Sequence, residues 1–296
     1  MARTATLPSN QGFTAGRRAA QRARVFRLVV LWTLNVFFLL FFLFPLFWQT
    51  ITALKPNDEL YAVPIVWFPK HLDFSHFQTV FTLYDFQVNI KNSLIVATST
   101  TVICLVLGAF AAYALAKLPL PAKKTILTLV VVMVTFPGIA LVASLFLLLR
   151  DLNWIDTYLA LIVPYVAFSL PFAIWVLTNF FRTIPSDLSE QAEVDGCSPL
   201  QALYKVILPL ASPGLVTAGL LIFIGAWNEY LFAATFTSTS AALTFPVALL
   251  NFSGEHEVPW GEISAGSEIV TLPIIILVLI FQNRIVQGLT AGASKG

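Results

Sequence analysis

The sequence predicts an all-α integral membrane protein with six transmembrane helices. Three observations carry this. Of the 296 residues, 58% are hydrophobic and only 11% charged, with mean hydropathy +0.83. A soluble domain has about 25% charged and 45–50% apolar residues, so an ordinary cytosolic enzyme and a disordered chain are both excluded. Next, charge-free runs long enough to cross a bilayer, roughly 20 residues, recur along the chain. Finally, Lys and Arg are sorted to one side of those runs.

The first run, Leu28–Leu54, follows an arm holding Arg3, Arg17, Arg18, Arg22, Arg24 and Arg27 with no acid. It is too long for a signal-peptide core and lacks a small-x-small cleavage site, so an uncleaved first span over 28–52 is expected. Further spans are expected over 92–116, 125–149, 157–181 and 211–235. The sixth, 264–285, accepts Glu268 near its end. The stretch Tyr230–Gly254 is uncharged but interrupted by Thr235–Ser240 and Pro246. It reads as the end of the fifth helix plus a re-entrant or surface segment, with a seventh full span as the alternative. All but four of the 17 Lys and Arg fall in the N-terminal arm 1–27, the even-numbered loops and the C-terminal stretch from Arg284 onward. That side is therefore cytoplasmic. Both termini are expected there, in the inner or plasma membrane of a prokaryote. The arm reads as a topology signal, not as a nucleic-acid or lipid-specific site. Cys104 and Cys197 are far apart, and no metal-ligand spacing involves them or the histidines, which are expected on the surface.

One cytoplasmic connection, 182–210, is longer than a turn and reads as two short helices. Ser186 or Asp187 is placed to cap the first, with Glu190 at capping-box spacing, and Gly196 ends it. Ser198-Pro199-Leu200-Gln201 starts the second, with a hydroxyl at N-cap, proline at N1 and glutamine at N3. Leu200, Leu203, Tyr204 and Ile207 then recur at i, i+3, i+4 and i+7, and Pro209 stops the helix. The stripe either packs on the protein's own helix ends or seats in a groove of another subunit.

Glu190-Gln191-Ala192-x-x-x-Gly196, nine residues, then Val206-x-Leu208-Pro209 resembles the EAA loop of ATP-binding-cassette importer permeases. Gln191 stands where that pattern has alanine, and Val206 replaces isoleucine. The tail Gly288-Leu289-Thr290-Ala291-Gly292-Ala293-Ser294-Lys295-Gly296 is similar to that of the maltose- and trehalose-type sugar permeases. The resemblance spans roughly residues 25–296.

It implies a type I ABC importer permease fold with a cytoplasmic coupling helix. It implies a non-catalytic subunit that pairs with a second, distinct permease and two ATPase subunits. A solute-binding protein would deliver a maltose- or trehalose-like sugar from outside. ATP and Mg would sit on the ATPase partners, and no G-x-x-x-x-G-K-[ST] cradle occurs in this chain. By resemblance, Glu190, Ala192, Asp195 and Gly196 form the ATPase-docking helix and its turn. Leu200, Leu203 and Tyr204 would support it on the inner face, with Pro209 at its end. Gly288, Thr290, Gly292, Lys295 and Gly296 would reach between the ATPase subunits.

Within the membrane, the main polar group is the pair Asn228-Glu229, beside Trp227 and Tyr230. Glu229 lies about 24 Å above Pro213 along a helix. An ionisable group there faces a cavity or a partner. It is either a pathway or gate residue, or a brace between the fifth and sixth helices, or simply the outer helix end. The stretch 236–263, with Asn251, Glu255 and Trp260, is either a contact for the binding protein or a solvated acidic loop. For the cargo, a polyol or glucosylglycerol-type osmolyte is the alternative to a disaccharide. An ion-coupled secondary transporter is the remaining rival class. It would be expected to carry intramembrane acids in paired halves, whereas the sequence offers Glu229 as one candidate and no clear internal repeat.

Overall fold

The computed structural model describes residues 11–252 and 258–293, with side chains from 24 to 252 and from 258 to 284. Every regular element among the described residues is helical. Four helices are long and apolar enough to cross a membrane, and up to six spans result if each of two bent pairs counts as one.

Helix α1 (Gln11–Ala53) absorbs much of the Arg-rich arm, so arm and first span form one continuous helix. Its apolar residues from Val25 to Phe47 are exposed, and it meets the rest of the chain mainly at its far end, against the last helix. Such an all-round apolar surface suits lipid or another membrane helix. Two short helices, α2 (Asn57–Leu60) and α3 (Ser75–Thr82), lead to α4 (Phe86–Lys117).

The expected third span, 125–149, is not one helix. It divides into α5 (Lys123–Val134) and α6 (Val142–Asp151), bent by 83°. Pro137 offers no N–H and disfavours helix in the residue before it. Gly138 then opens a single 3-10 turn, Gly138–Leu141. Helix α7 (Tyr158–Thr183) retains Pro164 and Pro171 inside an unbroken helix.

The connection after α7 comprises α8 (Ser186–Val194), α9 (Pro199–Ala202), a π-helical turn (Leu203–Ile207) and α10 (Leu208–Leu210). Helix α11 (Ser212–Trp227) then leaves at 80°. It stops at Trp227, so the expected fifth span 211–235 is interrupted. Two six-residue helices follow, α12 (Leu231–Phe236) and α13 (Phe245–Leu250). At 1.5 Å per residue each rises about 9 Å, too little to span a membrane. The last helix, α14 (Trp260–Ala293), begins before the expected residue 264 and stays helical through most of the expected tail.

The core is a column built on α4, α7 and α11. Gly108 lets α4 approach α7 closely: a Cβ there would lie 3.0 Å from the Ala173 Cβ. Small residues at such contacts allow the backbone packing that membrane helices rely on. One end of the column is aromatic, with Phe86, Trp227, Phe232, Phe236, Phe245 and Phe252. The other end packs Ala112, Leu177 and Phe181 against Leu203 and Ile207 of the connection.

Candidate functional site

The connection from α7 to α11 is a two-helix element whose turns are written in its sequence. Helix α8 ends in a Schellman motif. The Cys197 N–H donates to Ala192 O (2.9 Å) and the Gly196 N–H to Glu193 O (3.0 Å). Gly196 has φ +88°, which glycine adopts without the Cβ strain of other residues. Helix α9 starts with a full capping box. Ser198 Oγ accepts from the Gln201 N–H (3.3 Å), and Gln201 Oε1 accepts from the Ser198 N–H (2.9 Å). The start of α8 differs from expectation. Pro185 occupies the N-cap with no side-chain cap, and neither Ser186 nor Asp187 fills that role. Both lie inside the helix, so their side chains are not placed to reach N2 or N3 from a cap.

The apolar stripe of the second helix is also divided. Leu203 and Ile207 are 1% and 0% exposed, whereas Leu200 and Tyr204 are 58% and 72% exposed. Leu200 and Tyr204 therefore do not support the element on an inner face. A π turn lies within the stripe. The Leu208 N–H reaches back five residues to Leu203 O, and the widened turn shifts the side-chain register. It accommodates Pro209, whose ring would collide with the carbonyl four residues earlier in a regular helix. Accordingly the helix continues through Pro209 and bends only at Ala211.

The result is a two-sided element. Ala192, Leu203 and Ile207 face inward, and Lys117 at the end of α4 donates to Ile184 O just before α8. Outward lie Glu190, Glu193 and Asp195 with Val194 (88% exposed), Leu200 and Tyr204.

At the far end of the column, Glu229 follows the end of α11. Its Oε1 accepts from the Phe232 N–H (2.9 Å) and its Oε2 from the Ala233 N–H (3.2 Å), which caps α12. Tyr165 of α7 donates its hydroxyl to the same carboxylate. The brace thus joins the α11–α12 break to α7, not the fifth helix to the sixth. Trp227 is 1% exposed. It stacks on Phe223, packs against Phe245 and donates from Nε1 to Val270 O (3.3 Å). Asn228 turns back to Ile224 O (2.9 Å), and Tyr230 is exposed. An apolar cavity of about 340 Å³ lies between α4, α11 and α14, lined by Leu105, Gly219, Phe223 and Phe281 among others. None of these four pathway candidates lines it.

Sequence reading missed the groups that hold residues 237–245 in place. Asn92 Nδ2 donates to Ser240 O and Leu243 O (both 3.0 Å), and its Oδ1 accepts from the Tyr158 hydroxyl (2.7 Å). Asn89 donates to Leu243 O (3.1 Å), and Ser93 Oγ accepts from the Phe245 N–H (2.9 Å). Asp156 Oδ1 accepts from the Ser238 and Thr239 N–H groups (2.9 and 3.0 Å). Burial raises the Asp156 pKa, but the Thr239 hydroxyl and these two N–H groups outweigh it and hold the carboxyl below its ordinary value. Irregular backbone against a membrane needs such internal partners. Polar residues at the start of α4, spaced on one helical face, were the available signal.

His76 is not a surface residue. It is 1% exposed, with Nε2 on Lys55 O (2.8 Å) and Nδ1 3.3 Å from Glu262 Oε1. The hydrogen bond to Glu262 raises its pKa, against the opposing effect of burial. Gly261 makes room, since a Cβ there would lie 2.4 Å from the ring. Asn251 caps the end of α13 and is exposed, and Trp260 opens α14 at 53% exposure. Glu255, Lys295 and Gly296 lie outside the described residues. Gly288, Thr290 and Gly292 fall on the helical continuation of α14, beyond the described side chains.

Residues 104–291 match the family described as binding-protein-dependent transport system inner membrane component. The chain is 46% identical over 256 residues to the trehalose transport system permease protein SugB of Mycobacterium tuberculosis, covering 86% of this chain and 93% of that one. It is 41% identical to the sulfoquinovosyl glycerol transport system permease protein SmoH of Agrobacterium fabrum, covering 86% and 89%. Among solved structures, a chain of a bacterial ABC transporter involved in the import of the acidic polysaccharide alginate matches with TM-score 0.74. That match has 24% identity and covers 94% of this chain and 99% of the other, which is a likeness of fold.

Proposed function

The chain belongs to the family of binding-protein-dependent transport system inner membrane components, multi-pass membrane permeases. On that premise we propose that it is a translocation subunit of an ATP-driven importer, passing a sugar of the trehalose or maltose type. The relatives named above support the sugar reading. A glycerol glycoside is the second reading, favoured by the 41% identity to the sulfoquinovosyl glycerol permease.

The observation that carries the mechanism is the two-sided element 186–210. Its outer face offers Val194, Leu200 and Tyr204 ringed by Glu190, Glu193 and Asp195, the composition of a helix that seats in a groove. Its inner face is locked by Leu203 and Ile207 into the ends of α4, α7 and α11. Packed interiors transmit displacement stiffly, so a push from an ATPase partner moves those helices together. In this reading two ATPase subunits carry ATP and Mg, and this chain catalyses nothing. A second permease completes the pathway, a solute-binding protein meets the stretch 236–263, and both termini are cytoplasmic.

The test is ATPase activity and uptake by the complete reconstituted complex with its binding protein. Sugars and glycerol glycosides should stimulate. Stimulation by amino acids alone would overturn the carbohydrate reading.

A further inference from the structure

A second cavity, about 520 Å³, lies where the end of α1 and helix α2 meet the start of α14. Its chemistry differs from that of the apolar one. Lys55 and Glu59 both line it, at 3% and 5% exposure. Glu59 accepts from the Lys70 N–H (3.2 Å) and makes no ion pair with Lys55. The Lys55 ammonium lies 4.7 Å above the Trp48 ring. Among the described residues, no carboxylate or carbonyl accepts a hydrogen bond from it. Burial pushes the Lys55 pKa below its ordinary value, offset in part by the charge of Glu59. A buried ammonium with no directly bonded anion is costly, and the cavity is the space from which a second anion can reach it.

The mouth of the cavity is apolar. Pro45, Ile65 and Trp260 line it and are themselves exposed. Pro45 also belongs to the exposed apolar run of α1, beside Phe44 and Phe47. Trp67 packs on Trp48 and Phe68 on Phe47, which continues that surface past the helix end. Aromatic residues gather in this way at the level of lipid headgroups. A neutral sugar could hydrogen-bond Lys55 but would not neutralise it. A ligand with a negative and a positive group, attached to an apolar body, satisfies every part of the site.

We propose that this cavity holds the headgroup of a zwitterionic phospholipid, with its phosphate against Lys55, its ammonium against Glu59 and its chains along α1. Gln49, Thr52 and Ser264 supply further polar groups in the same cavity.

The test uses the full transporter complex in phosphatidylglycerol nanodiscs, titrated with phosphatidylethanolamine and read by native mass spectrometry. Wild type should retain phosphatidylethanolamine. Lys55→Met should weaken retention roughly tenfold, the scale of a lost charged hydrogen bond, while Lys55→Arg keeps it. Glu59→Gln should lower the preference for phosphatidylethanolamine over phosphatidylglycerol. Ser264→Phe, which fills the cavity from α14 and leaves both charges in place, should also displace the lipid. Unchanged retention in Lys55→Met and Ser264→Phe complexes would overturn the proposal. So would displacement of the lipid by soluble phosphoethanolamine at equal concentration, because the occupant would then need no membrane anchor.

Discussion

Tyr165 and Glu229 join the helix break after α11 to the first third of α7 through one hydroxyl–carboxylate hydrogen bond. The same carboxylate caps α12 through the Phe232 and Ala233 N–H groups. One acid therefore ties α7 to the start of α12 at the break that follows α11.

Glu229→Ala should lower uptake at normal membrane levels. It leaves two N–H groups and a phenol without their acceptor, at about 1–3 kcal/mol for each buried group left unpaired. Tyr165→Phe should cost less, about 1 kcal/mol, because the carboxylate keeps its two backbone donors. Uptake assays paired with thermal melting of the complex separate the two. Equal uptake in wild type and Glu229→Ala would refute a role for the brace in transport.

Gly196→Pro should abolish copurification of the ATPase while insertion is unaffected. Proline fixes φ near −65°, whereas the native value is +88°. It also removes the N–H bonded to Glu193 O. Gly196→Ala should cost about 1–2 kcal/mol of local backbone energy without a clash, since a Cβ there meets nothing within 4 Å. Full ATPase stoichiometry with Gly196→Pro would show that this turn does not dock the partner.

The His76–Glu262 contact predicts a pH dependence of stability. The folded pKa of His76 lies above its ordinary 6.5. The protonated ring therefore contributes stability that is fully present below about pH 6.5, and that contribution fades as pH rises through the higher folded value. Wild type should lose melting temperature over that window, and Glu262→Gln should flatten the profile. A profile in Glu262→Gln as steep as in wild type would assign the effect to another group.

Asn92→Leu should loosen residues 237–245. It removes two donors to Ser240 and Leu243 and the acceptor of Tyr158. The cost is about 1–3 kcal/mol per orphaned buried group. Limited proteolysis should cut between Thr237 and Phe245 in the variant before wild type. An unchanged cleavage pattern would mean that Asn89 and Ser93 suffice.

The two-helix connection 186–210 was legible where local chemistry decides the backbone. Gly196 can take positive φ, and Ser198, Pro199 and Gln201 form a cap among themselves. The stripe was legible as apolar but not by side. Leu203 and Tyr204 are adjacent in sequence and about 100° apart around a helix, and only packing against α4, α7 and α11 decides which one is inside. His76 was misread for a similar reason. Its partners Glu262 and Lys55 O are remote in sequence, and no period points to them.

The sequence by itself determined that this chain lives in lipid, which of its loops is long and polar, and that the turn at Gly196 and the cap at Ser198 divide that loop into two helices. These follow from hydropathy, charge sorting and short-range hydrogen bonding within a few residues. Tertiary structure alone decided that Trp227 is core, that Glu229 braces α7, that Asn92 carries the irregular segment, and that Lys55 is buried with no hydrogen-bonded acceptor among the described residues. Each of those depends on which groups meet across the packed helices, which distant sequence decides.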